Sequence, residues 1–306
     1  MSRTVYFAKV NVNSKSTYKV YKKEVDISNI MLELASKIKN NIKYVREIEK
    51  IVDGETFITN QEFAISGVSR IEVDSELMIV GGVIKTAKVF INNVNKSTGK
   101  KTTTSVNSDE VINFCFYPNK EVVAYYCPLK FGNKEFIPVF ENLINNAFKE
   151  EHFTVSTITN GLSLDNIKES LRKIKNIKEL HISIIPPNPN GKTKKALQQD
   201  AESKIKSFEQ GRITERSTIF KSSYEEGLDT DSEEISKHID DATAIHSKIN
   251  VKEATKNGYV NIIATNEKGT IFNTNNKKVV KHRMDDEIVG DNNFASFCKN
   301  VIEKIL

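Results

Sequence analysis

The chain has 306 residues, 38% of them hydrophobic, and its 45 Lys and Arg against 40 Asp and Glu leave a net charge of +5. That length exceeds what one core usually fills, so two α+β domains are expected, 1–150 and 151–306. No apolar run approaches the ~20 residues of a membrane-spanning helix and the first residues lack the apolar segment of a signal peptide, so a cytoplasmic protein is expected.

Val5 to Val10 and Tyr18 to Val25 alternate like strands of a hairpin. Ile27, Ile30, Met31, Leu34 and Ile38 then recur at helical spacing. Tyr44 to Val52 and Thr56 to Thr59 flank Asp53-Gly54, a pair that supplies the positive φ of a tight turn. Strands are predicted over Glu62 to Val73 and Glu76 to Asn92, with Gly81-Gly82 read as a bulge or bend. Val111 to Tyr117 and Val122 to Cys127 form the central hairpin, because near-continuous apolarity implies strands covered on both faces. Phe136, Val139, Phe140, Leu143, Ile144 and Phe148 make one helical stripe, with Pro138 placed in its first turn.

In the second half, Phe153 to Ile158, the stripe Leu164 to Ile174 and Leu180 to Ile185 predict a β-α-β unit with parallel strands. A basic helix is expected over Lys192 to Phe208. Eight acids between Ser222 and Asp241 against one Lys237 read as an exposed acidic insertion or linker. Val251 to Ala254, Tyr259 to Thr265 and Thr270 to Thr274 read as strands, and Phe294 to Ile305 as a closing amphipathic helix. The fold class is therefore α+β, mostly antiparallel sheets covered by amphipathic helices.

The charge distribution says more than its total. Lys85, Lys88, Lys96, Lys100 and Lys101 fall in a stretch, 85–104, without an acid. A second group joins Lys277, Lys278, Lys281, His282 and Arg283, and a third Lys192, Lys194 and Lys195 with Lys204 and Lys206. Each alone reads as a solvated surface. Gathered on one face they suit sequence-independent contact with a nucleic-acid backbone, because lysine is a mobile point charge that reads phosphate rather than base.

Catalytic and metal motifs are not found. His238 and His246 stand eight apart without Cys partners, "NPNGKTKK" lacks the phosphate-loop pattern, and Cys115, Cys127 and Cys298 are an odd, widely spaced set suited to a reducing compartment. No cofactor or metal is expected. A nuclease or nucleotide-processing toxin with a dispersed acidic site stays open, as does a protein-interaction subunit.

The segments "NFCFYPNKEVVAYYCPLKFGNKEFIPVFENLI" (113–144), "LHISIIPPNPNGKTKK" (180–195) and "VNIIATNEKGTIFNT" (260–274) resemble the RexA-like phage-exclusion family and related phage-defence proteins. The resemblance implies a two-domain, non-enzymatic protein that binds DNA without strong sequence preference as a homodimer. It also implies a sensor signalling to a membrane-bound effector without inserting into the membrane itself. The acidic stretch near 225–241 departs from the pattern, and no catalytic residue is implied.

Overall fold

The computed structural model describes residues 3–52, 55–94, 96–99, 101–126, 132–188, 202–244 and 251–306. Among them are twelve strands and eight helices in an α+β fold whose strand pairs are antiparallel. No helix among the described residues is long and apolar enough to cross a membrane. The chain divides into two compact units. Unit 1 comprises 1–5, 32–149 and 283–306, and unit 2 comprises 6–31 and 150–282. The chain crosses between the units at 5/6, 31/32, 149/150 and 282/283, so neither unit is one continuous segment.

In unit 1 an antiparallel meander runs in sequence order through β2 (Lys43–Val52), β3 (Glu55–Val73), β4 (Glu76–Val94), β5 (Lys101–Tyr117) and β6 (Val122–Tyr126). Strands of 17 and 19 residues are about three times the usual length. Asp74 and Ser75 turn β3 into β4 with positive φ of 48° and 63°. Gly81 and Gly82 do not bulge: they stay in register with Phe114 and Asn113. The irregularity lies on the facing strand, between Ser66 and Ser69, where Gly67 takes φ +63°. The glycines instead let neighbours approach, since a Cβ on Gly81 would stand 3.0 Å from the Phe114 ring.

Both faces of this sheet are covered, which explains the unbroken apolar runs in β5 and β6. On one face lies α3 (Asn133–Ala147), whose Phe136 stacks on Tyr125 at 4.0 Å and whose Phe140 meets Phe114 at 5.2 Å. On the other lies α8 (Asp291–Ile305), with Phe294 edge-on to Tyr126 at 5.4 Å. Adjacent residues of one strand thus serve opposite layers, as the two-residue pleat requires. Pro138 is the sixth residue of α3, in its second rather than its first turn, so the helix forgoes one internal hydrogen bond there. Buried Cys115 on β5 and Cys298 on α8 are free thiols, and burial, then Cys115, pushes the Cys298 thiol up. Cys127 lies outside the described residues.

Unit 2 contains the antiparallel pair of β1 (Arg3–Val12, from Ala8 onward) with β7 (Phe153–Thr157). It also contains a four-stranded sheet ordered β11 (Gly269–Asn273), β10 (Val260–Asn266), β8 (Glu179–Ile184) and β9 (Arg216–Lys221). The expected β-α-β unit is absent: β7 pairs antiparallel with β1, while β8 sits between β10 and β9, antiparallel to both. Helix α4 (Leu164–Arg172) joins two different sheets rather than crossing over one.

Three further expectations are corrected in this unit. The strand predicted over Tyr18 to Val25 is instead helix α1 (Lys15–Tyr21). Ser14 caps it by accepting from Ser16 N, and Ser16 Oγ donates to Glu151 at 2.5 Å. Val251 to Ala254 is likewise helical, in α7 (Val251–Lys256). The acidic insertion is only half a loop, since α6 (Glu233–Ala244) buries Ile235, Ile239 and Ala242 in the unit 2 core and turns its acids outward. Asp231 and Asp240 pair there with Arg172 and Lys168 of α4. Helix α5 (Glu202–Gln210) matches the end of the predicted basic helix, and β12 (Lys281–Met284) was not foreseen.

Candidate functional site

The first lysine group lies on the β4–β5 hairpin of unit 1. The pairing of Glu76 with β3 and of Asp109 with β4 brackets residues 77–108, a hairpin of 32 residues in which no acid occurs. Lys88 on β4 and Lys96 in the connecting turn are exposed, and Lys101 opens β5 opposite Val94. Lys100 lies outside the described residues. Lys85 differs: it is only 13% exposed and its ammonium meets Glu135 at 2.8 Å, so its charge is used within the protein.

In the second group Lys277, Lys278 and Lys281 are exposed in unit 2, and Arg283 is exposed in unit 1. Lys277 lies over the Phe272 ring at 5.8 Å. Lys192, Lys194 and Lys195 lie outside the described residues. His238 pairs with Glu234 at 3.3 Å on α6, and His246 is outside the described residues. Among the described residues no group of three or more His, Cys, Asp or Glu is placed to hold a metal ion.

Two constellations escaped the sequence reading because their members are far apart in the chain. In the first, Glu135 in the opening turn of α3 receives both Lys85 and Arg46, and Arg46 Nε donates to Gln61 at 2.7 Å. Glu110 stands directly across the ladder from Lys85, with Oε2 buried. The two cations bind the helix start to β2 and β4.

The second is a cavity of about 450 Å³ on the α8 side of the same sheet. Its polar wall is Arg3, Asn113 and Tyr126; Val80, Ile84, Val111 and Ile288 supply apolar surface. Arg3 holds its guanidinium over the Tyr126 ring, 5.3 Å from the centroid, and Nη1 donates to Tyr126 Oη at 3.5 Å. Asn113 Nδ2 donates to the same oxygen at 2.5 Å. Asp291, the first residue of α8, also lines it, beside Gly290. The only sequence signal here was Gly81-Gly82, whose second member lies on the cavity floor.

A search of the curated proteins finds no match. The model of a domain of unknown function, DUF4747, matches residues 22–297, which takes in most of both units. That coverage places the chain in the DUF4747 family.

Proposed function

We propose that this protein binds double-stranded DNA without sequence preference, as a non-enzymatic cytoplasmic sensor or effector in phage exclusion. The observation that carries the reading is the acid-free β4–β5 hairpin, with exposed Lys88 on β4 and exposed Lys96 in the turn that joins its two long strands. Such an arm offers phosphates a positive edge with no carboxylate of its own to repel them. Lys277, Lys278, Lys281 and Arg283 add exposed cations elsewhere on the chain.

The same strands expose Val89, Ile91, Val94 and Val106, between 42% and 53% accessible, which supports self-association of the arm into a homodimer. The role in defence, and signalling to a membrane-bound effector, rest on the resemblance to RexA-like proteins.

The test is a salt titration of duplex binding, with the mass of free protein read by sedimentation. Each phosphate neutralised contributes about 0.9 to the slope of log affinity against log salt. Replacing Lys96, Lys100 and Lys101 by Glu should weaken binding and flatten the slope by up to about 2.7, three times that increment. Absence of binding at low salt, or an unchanged slope in the variant, removes the reading.

A further inference from the structure

The unit 1 cavity has a chemistry that the hairpin reading does not use. Arg3 approaches Asp286 only to 4.0 Å, beyond hydrogen-bond range, and its bond to Tyr126 is long at 3.5 Å. The guanidinium is therefore oriented by its stack on the ring, while among the described residues most of its donors meet no acceptor within hydrogen-bond range. Tyr126 Oη already accepts from Arg3 and Asn113, so its own proton is directed away from both and is a further donor. Phe294, edge-on at 5.4 Å, holds that ring in place.

Most of the remaining wall is apolar, with Ser66 and Asp291 its other polar members, and Gly82 lets that wall close in because residue 82 has no side chain. A Cβ there would lie 3.0 Å from Val111 Cγ1 and 3.7 Å from Asn113 Oδ1, both on the cavity lining. A bare inorganic ion would leave Val80, Ile84, Val111 and Ile288 uncovered. Asp291 on the lining and Asp286 beside Arg3 disfavour a polyanion. The volume is that of an ordinary small-molecule site.

We propose that this cavity binds a small organic anion, with one carboxylate or phosphomonoester group on Arg3 and Tyr126 and an apolar body over Gly82. The oriented guanidinium fork matches either head group, because both present paired oxygens at the spacing of its donors. The apolar body separates such a ligand from a nucleic-acid backbone, so the cavity and the lysine hairpin are independent sites.

Calorimetric titration of the full chain with phenyl phosphate and with benzoate tests this and tells the two head groups apart. Saturable binding of at least one, once per chain, is expected, with inorganic phosphate and benzyl alcohol at least about tenfold weaker, the loss of one charged hydrogen bond or of the apolar body. Arg3→Met should weaken the better ligand about 10- to 100-fold, Tyr126→Phe less, and Gly82→Val should abolish binding. Lys88→Glu with Lys96→Glu should leave it unchanged, which separates this site from the DNA reading. If Gly82→Val does not fold, the Arg3 and Tyr126 variants decide. Failure of both probes to bind at low millimolar concentration, or equal affinity in Arg3→Met, overturns the assignment.

Discussion

At the scale of residues, several side chains are held in one protonation state by burial or by their hydrogen-bond partners. Burial first, then the Glu209 charge, raises the Tyr18 phenol to about 12; burial first, then Glu76, does the same for Tyr117. Tyr21 is raised as well, by burial and then by Tyr18, and its hydroxyl donates to the Pro187 carbonyl. Lys299 is raised by its hydrogen bonds to Glu303 and Asp74. In every case the folded state holds the proton more tightly than the unfolded chain, whose phenols and amines titrate near ~10. Their contribution is thus complete below about pH 10 and is lost as pH climbs toward 12. Urea midpoints should accordingly begin to fall above about pH 8.5, where the unfolded Cys298 thiol ionises first, and drop most between about 10 and 12, and the Tyr18→Phe variant should lose part of that drop. A midpoint independent of alkaline pH contradicts these assignments.

Glycines act at this scale too, and only some do so through conformational freedom. Gly161 takes φ +69°, and a Cβ there would stand 2.1 Å from the Lys252 carbonyl, so both backbone and space require glycine. Gly82 has no positive φ; its role is the close approach it allows, since a Cβ there would stand 3.0 Å from Val111 Cγ1. A sequence prints the two alike.

At the scale of elements, α3 is tied to the sheet by apolar and ionic contacts together. Phe136 and Phe140 bury against Tyr125 and Phe114, while Glu135 accepts from Arg46 and Lys85. Removing the carboxylate would leave two partly buried cations facing each other. Glu135→Ala should therefore destabilise unit 1 by roughly 1–3 kcal/mol, below the full cost of breaking a buried pair because these side chains retain some water. The Lys85→Met, Glu135→Leu double variant should recover much of the loss, since an apolar pair carries no desolvation cost. Denaturant unfolding of the single and double variants measures both, and equal losses in the two contradict the ionic account.

The elements that misled the sequence reading share one cause. Tyr18 and Val20 alternate with Lys19 as a strand would, yet the segment turns helical because Ser14 caps it and Glu151, far along the chain, accepts from Ser16. Val251 to Ala254 is β-branched at its start but folds into a helix whose Thr255 hydroxyl accepts from Leu162 N at 2.8 Å. Short segments have weak intrinsic preferences, so a few tertiary hydrogen bonds outweigh them.

At the scale of the whole molecule, the interleaving of the two units has a direct consequence. Unit 2 needs residues 6–31: β1 supplies the partner of β7 from Ala8 to Val12, and Tyr18 enters the unit's core beside Ile182 and Phe208. A fragment 151–306 would expose the β7 edge and leave a hole where Tyr18 packs, and an unpaired edge is a template for aggregation. The fragment should show poor amide dispersion or aggregate, whereas adding a peptide of residues 6–31 should restore a dispersed spectrum. A well-folded 151–306 fragment would contradict the division.

Composition and pattern alone determined the α+β class, the antiparallel character, the central hairpin 111–126 and the two amphipathic helices that cover it, because burial on both faces or one stripe leaves a local periodic trace. They also marked the lysine hairpin, since charge is visible without coordinates. Only the tertiary structure decided that Lys85 spends its charge on Glu135, that the acids of α6 sit behind a buried stripe, and that Arg3, Asn113 and Tyr126 meet around one cavity. Those partners are separated by up to 123 residues, and contacts between such distant positions leave no periodicity along the chain to read.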